Sequence, residues 1–456
     1  MSLRLSAAGV VLARALGIGA AVALTVVTAQ RLGSDRATDV AFAALVVPGA
    51  IMAAISNFFP PVFLSVFKDI EVRQGEAEAW RFAGAALRAV SLAAGAATMA
   101  GAAASPLLAQ VIGEGFLPDE ARRMSSFMQA AFPVVLLASV GAVLKGVVQA
   151  RGSLVLPALD TFVVNAVAVG FLVLGPAEEG AALLVAGLVA GQVARMVLLA
   201  PGYVRRRVRV RAPWSHPGLE AAARMLGPVL LVGLLVTANS AILRSLASRV
   251  GREGAVSHLT YAERIVAAPI DVFALSLGTV LLPGMAASAA AGDREGVRRR
   301  VAKGLRLSAL LGPPAALGLV VVAEPLVALI CQRGRFDAAD TRETARTLWG
   351  YAPLLLFAGH TVLHQAFYAL RRTDAILASG GVVLACTTAL GILLLGPLET
   401  LGLALACSIG TAGGVAVLVG LLGREVGWPD LTALGSCALR SSLAAGGMAL
   451  IVWAWA

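Results

Sequence analysis

Thirteen apolar runs follow one another along this chain of 456 residues, each long enough to cross a bilayer as a helix. They lie at roughly 5–32, 38–67, 82–112, 124–150, 154–175, 181–203, 222–248, 256–287, 302–330, 345–370, 374–396, 400–422 and 434–455. A helical span needs about 20 apolar residues. With 59% hydrophobic and 14% charged residues and a mean hydropathy of +0.85, the chain holds more apolar surface than a soluble core could bury. The expected fold is an all-α polytopic membrane protein. Its Pro and many Gly fit that setting, because neighbouring helices satisfy freed backbone groups and small residues let helices approach closely. The first run shows no signal-peptide cleavage site and is read as a retained span.

The basic residues set an orientation. With the amino terminus inside, twenty Lys and Arg fall at the inner ends of the spans, among them Lys68, Arg73, Arg207, Arg299 and Lys303. Ten fall at the outer ends, among them Arg36, Arg122, Arg252 and Arg335. That bias predicts a cytoplasmic amino terminus, with the loops around Arg207 and Arg299 inside. The net charge of +11 is then topology and contact with anionic lipid, not a nucleic-acid footprint.

Internal repetition organises the spans. The run at 106–116 recurs at 325–336, that at 133–138 recurs at 353–358, and Gly170-Phe-Leu-Val-Leu-Gly-Pro176 recurs as Gly391-Ile-Leu-Leu-Leu-Gly-Pro397, all offset by 219 to 221 residues. A weaker echo links Ala13-Arg-Ala-Leu-Gly17 with Ala223-Arg-Met-Leu-Gly227. The expected architecture is two parallel six-helix repeats around a central cavity: an N-lobe at 1–211 and a C-lobe at 212–424, plus one added helix at 425–456. Six crossings per repeat give both the same orientation, so a half-turn about the membrane normal should relate them, with a substrate path between lobes.

Ionisable groups inside apolar spans are the candidate working residues. The run at 259–283 carries Glu263, Arg264 and Asp271. Arg14 lies too deep in the first span to be only an interfacial anchor. An Arg264–Glu263 pair that locks its own span is the structural alternative to ligand binding. Asp39 suits either capping of the second span or ion coupling. Asp160 and Asp271 are further candidates for proton or sodium coupling, and Lys145 is expected to snorkel. His360 and His364, one turn apart, fit a polar cavity face better than a metal pair, and His258 fits an interface. Cys331, Cys386, Cys407 and Cys437 show no ligand spacing. No metal or cofactor is expected. No nucleotide loop or nucleophile elbow appears, so the expectation is a transporter and not an enzyme.

Arg14-Ala-Leu-Gly17, Ala37-Thr-Asp-Val-Ala-Phe42, the Gly-x-Gly-Phe turn at 113–116, and Tyr261-Ala-Glu-Arg264 followed by Leu277-Gly-Thr-Val-Leu-Leu-Pro283 carry a resemblance over nearly the whole chain. It is to the MurJ (MviN) family of lipid II flippases, in the multidrug/oligosaccharidyl-lipid/polysaccharide exporter superfamily. Departures are visible. The second basic position of span 1 is Ala20, the middle of span 2 has no basic residue, and span 7 carries Arg244 where an acid is usual. The pyrophosphate-binding cluster that the resemblance implies is thinned to Arg14 and Arg264, helped by Arg244, with Glu263 beside them. Arginine suits that role because its planar fork pairs with phosphate oxygens and stays charged when partly buried.

The resemblance implies alternating-access movement of an undecaprenyl-pyrophosphate-linked glycan, lipid II or a related envelope precursor, across the bacterial cytoplasmic membrane. The implied partners are that substrate, the lipid bilayer and cell-envelope synthesis proteins, with no nucleic acid. Two other readings stand beside it. A cation-coupled exporter of small amphipathic cations would want an acidic cavity, and a non-transporting envelope scaffold would leave the buried charges without a role.

Overall fold

The computed structural model describes residues 2–204 and 214–455. The expected lobe boundary at 211/212 and the basic residues Arg205, Arg206, Arg207, Arg209 and Arg211 lie outside the described residues. In the 277–283 motif the helix is described and, apart from Leu281, the side chains are not.

Every element is helical among the described residues, in the order α1 (Ser2–Leu32), α2 (Arg36–Gln74), α3 (Glu76–Ile112), α4 (Pro118–Ala131), α5 (Pro133–Ala150), α6 (Val155–Ala158), α7 (Asp160–Leu174), α8 (Gly180–Val204), α9 (Pro217–Ser248), α10 (Ala255–Ala290), α11 (Arg294–Val321), α12 (Ala323–Cys331), α13 (Ala338–Tyr351), α14 (His360–Ala369), α15 (Thr373–Val426) and α16 (Leu431–Trp455). Nine stretches among the described residues are long and apolar enough to cross a membrane. The chain is a multi-pass membrane protein. Four expected spans are broken helices: α4 with α5, α6 with α7, α11 with α12, and α13 with α14. Prolines accompany the breaks, Pro133 opening α5 and Pro353 following α13, because Pro removes a donor and clashes with the preceding turn.

The chain falls into two compact units. One comprises Met1–Thr237 with Arg333–Phe336, the other Ala238–Gln332 with Asp337–Ala456. In the first unit, Ala13, Ala20, Leu24 and Thr28 form a buried stripe of α1 at helical spacing. Gly17 on that stripe faces α7, where an added Cβ would stand in ordinary contact, 3.4 Å from Thr161. The aromatic core joins α2 to α3 through Phe63, Phe67, Trp80 and Phe82, with Phe63 and Phe82 stacked at 5.3 Å. Asp35 caps α2 by accepting from the Thr38 N–H at 2.9 Å, and the expected capping residue, Asp39, lies buried one turn further on.

In the second unit, α15 has 54 residues, which as one straight helix would reach about 80 Å against a hydrocarbon core of about 30 Å. It is two antiparallel spans. Glu399, at φ 52 and ψ −129, breaks it, and the arms pack back on each other, Ser379 Oγ donating to Gly414 O at 3.0 Å. Gly410 and Gly414 make that packing close. A Cβ would meet Thr387 Oγ1 at 2.4 Å in one and Val383 at 2.5 Å in the other. Gly187 and Gly191 do the same between α8 and α7, against Ala168 and Val164 at 2.9 and 2.7 Å. The two Gly-x-x-x-Gly seams are 223 residues apart, so the repeat extends to helix packing.

The register of α16 on α11 supplies an independent check of the span count. Ser441 Oγ donates to Leu310 O and Cys437 Sγ lies 3.8 Å from Arg306 O, so the two helices run parallel. Parallel neighbours require an odd number of crossings between them, which holds only when α15 crosses twice.

The turns after α5 and α14 also match. Ser153 N–H donates to Val148 O and Arg372 N–H to Phe367 O, the long bond of a Schellman cap. The left-handed residue is Gly152 in the first turn (φ 82) and Arg371 in the second (φ 58). A side chain at that conformation costs about 1–2 kcal/mol.

Candidate functional site

Two polar clusters lie within the apolar helices, one in each unit. In the second unit, Arg244 on α9 is buried, at 6% exposure. Its Nη2 donates to Glu263 Oε2 on α10, and its Nε and Nη1 have no hydrogen-bond partner among the described residues. Glu263 is half-buried. Its carboxylate joins α9 to α10, so it holds Arg244, where the sequence suggested that it would hold Arg264.

Arg264 is itself half-buried, with Glu263, Arg244, Tyr261 and Cys331 in electrostatic range. Tyr351 and Cys407 are in range of Arg244, and the Tyr351 hydroxyl and Asn239 Oδ1 are buried without hydrogen-bond partners among the described residues. The cluster holds two guanidinium groups and one carboxylate. Buried polar groups are normally satisfied, so unpaired donors beside an excess cation suit an anionic acceptor.

The first unit repeats that ratio with different residues. Lys145 Nζ on α5 bonds Asp160 Oδ2 on α7 at 2.7 Å, and Asp160 Oδ1 accepts from the Thr161 N–H at 2.7 Å. Lys145 therefore turns to a carboxylate and does not simply snorkel. Arg195 on α8, in electrostatic range of Asp160, is buried at 4% exposure. It donates from Nη2 to Ala138 O at 2.9 Å and from Nη1 to Ser56 Oγ at 3.3 Å, while its Nε has no hydrogen-bond partner among the described residues. Gly141 makes room for it, since a Cβ there would lie 2.6 Å from Nη2. Arg195 so ties α8 to α5 and to the middle of α2, the stretch that lacks a basic residue of its own.

Sequence reasoning missed Arg195. The signal was present, a lone guanidinium in an apolar span, and it is the criterion that selected Arg14.

The other candidates are scattered. Arg14 is exposed on α1 and forms no ion pair among the described residues. Asp271 is exposed on α10. His360 and His364 meet edge to face with ring centroids 5.5 Å apart, and no group of metal-binding residues occurs among the described residues. His258 is buried, its Nδ1 3.0 Å from Thr344 Oγ1.

Ion pairs brace the loop ends of both units. In the first, Arg36 bonds Glu120 at 3.1 Å. In the second, Arg252 bridges Glu399 at 2.8 Å and Glu343 at 3.2 Å. The same two carboxylates hold the Arg252 guanidinium above its ordinary range, through the Glu399 hydrogen bond first.

Comparison with known proteins gives one answer for the family. The profile described as "Lipid II flippase MurJ" matches residues 28–456. A "Probable lipid II flippase MurJ" of Bdellovibrio bacteriovorus is 27% identical over 361 residues, 77% of this chain and 68% of that one. The "Lipid II flippase MurJ" of Burkholderia cenocepacia is 24% identical over 335 residues, 71% of this chain and 64% of that one. Among solved structures, a lipid II flippase MurJ in an inward closed conformation superposes with a TM-score of 0.81 at 18% identity, over 98% of this chain and 92% of that one. An inward-facing multidrug resistance MATE transporter of the MOP superfamily superposes at 0.74 with 14% identity, over 93% and 96%. At these identities the structural matches speak for the fold, while the profile covers almost every span: the chain belongs to the lipid II flippase MurJ family.

Proposed function

We propose that this protein is a flippase that carries an undecaprenyl-pyrophosphate-linked glycan precursor, lipid II or a close relative, across the bacterial cytoplasmic membrane by alternating access. Arg14, Arg264 and Arg244 receive the anionic head, and Glu263 positions Arg244. The observation that carries this reading is the excess of cation over carboxylate within the apolar helices, two to one in each cluster. A pyrophosphate brings about two negative charges, and a low-dielectric path must offset their desolvation. An exporter of cations would need the opposite balance, and the likeness to a MATE transporter at 14% identity extends to the fold alone. Lobes at 1–211 and 212–424, with the last span added, supply the moving parts in this reading. Coupling to protons or sodium would fall to Asp39, Asp160 or Asp271.

Purified protein in proteoliposomes is expected to move a fluorescent polyprenyl-pyrophosphate-linked precursor and to leave a lipophilic cation in place. Movement of the cation alone would hand the function to the exporter reading.

The amino terminus is cytoplasmic in the same proposal. In a cysteine-free background, Arg123→Cys is expected to react with an impermeant maleimide added to intact cells, and Arg299→Cys only after permeabilisation. The reverse pattern would invert the topology.

A further inference from the structure

The first unit holds a cavity of about 720 Å³ at the end of α3 and along α4, remote in sequence from the charged clusters. Gln110, Glu114, Phe116, Ser125, Ser126 and Gln129 line it. We infer that this groove is a subsite for the neutral glycan of the transported lipid, binding sugar hydroxyl and acetamido groups on the outer side. The inference rests on the flippase reading and on its topology.

Depth is the first argument. Helices α4 and α5 together form the 33-residue stretch Pro118–Ala150, about 50 Å long against a hydrocarbon core of about 30 Å. Counting about 20 residues back from Ala150 leaves most of α4 beyond the hydrocarbon, at the end that the charge bias places outside. The groove therefore opens to water, where a glycan arrives after crossing.

Chemistry is the second. The lining offers two amides and two hydroxyls, which supply both donors and acceptors. Of the charged groups there, Glu114 and Arg122 line the cavity and Arg122 pairs with Asp119, so a pyrophosphate finds no excess of cation. The volume is that of a pocket for a small ligand.

The site is also built in advance. Arg36 lies 4.8 Å over the Phe116 ring and donates to Gly115 O at 3.0 Å, fixing the turn that forms one wall. Gly113 is required there, since a Cβ would meet Ala109 O and Phe116 Cδ2 at 2.8 Å. A preformed wall lowers the ordering cost of binding.

The test uses the full chain in detergent micelles with N,N′-diacetylchitobiose as probe, read by saturation-transfer NMR and titration. Binding is expected for the unaltered protein, with no displacement by inorganic pyrophosphate. Gln110→Leu and Gln129→Leu, whose amides have no hydrogen-bond partner among the described residues, should each weaken it about tenfold or more, as expected for a lost polar contact. No binding, binding indifferent to both variants, or displacement by pyrophosphate would overturn the inference. Precursor movement in proteoliposomes is measured separately: a protein that transports without binding the disaccharide loses the subsite and keeps its function, and one that binds without transporting does the opposite.

Discussion

Arg264→Ala is expected to abolish precursor transport, with lipid-linked intermediate accumulating in a flippase-depleted strain although the variant reaches the membrane at normal level. The guanidinium sits half-buried in a cluster that holds two guanidinium groups and one carboxylate, so the net charge of the cluster stays positive. Removing one side of a buried charged hydrogen bond costs about 2–5 kcal/mol, roughly thirtyfold to several thousandfold in the step it serves. Arg264→Lys should fall between, because lysine keeps the charge and loses the two-pronged geometry. Arg14→Ala should behave like Arg264→Ala. Glu263→Gln should lower transport less and thermal stability more, since it strands the buried Arg244. Full activity in both arginine variants would remove the site assignment and leave the fold untouched.

The second large effect is on stability. Asp160 is the one carboxylate of its cluster, with Lys145 bonded to it and Arg195 in range. Asp160→Asn keeps the bond from the Thr161 N–H and leaves Lys145 and Arg195 without the carboxylate that offsets them. A loss of about 3–5 kcal/mol is expected, the usual result of orphaning a buried charge. Lys145→Met leaves one cation and one anion and should cost less. Adding Lys145→Met to Asp160→Asn should recover part of the loss, a coupling that a double-mutant cycle measures. Denaturant titrations in detergent decide it: a Lys145→Met penalty larger than that of Asp160→Asn would contradict the charge count.

The sequence carried the fold further than the site, for a physical reason. Spans and their repetition are written in local hydropathy, which is why both arms of α15 are visible as runs at 374–396 and 400–422 although only Glu399 interrupts the helical backbone between them. Arg244 and Glu263 are 19 residues apart on different helices, and no periodicity announces such a pair. Lys145 and Asp160 are closer in sequence but are joined only because α6 turns the chain between them. Asp35 and Asp39 both precede or open the same helix, and only the backbone angles single out Asp35 as the cap. Arg195 differs from these, since a lone guanidinium in an apolar span is legible from hydropathy alone.

The sharp break at Glu399 has a mechanical consequence. The two arms of α15 are joined with no slack, and Thr400 Oγ1 lies 2.7 Å from Thr347 Oγ1 on α13 while Glu399 itself is held by Arg252. One knot therefore gathers the ends of α9, α10, α13 and both arms of α15. That end is cross-braced, so bending of the second unit in a transport cycle is expected to concentrate at its opposite end or within the helices themselves.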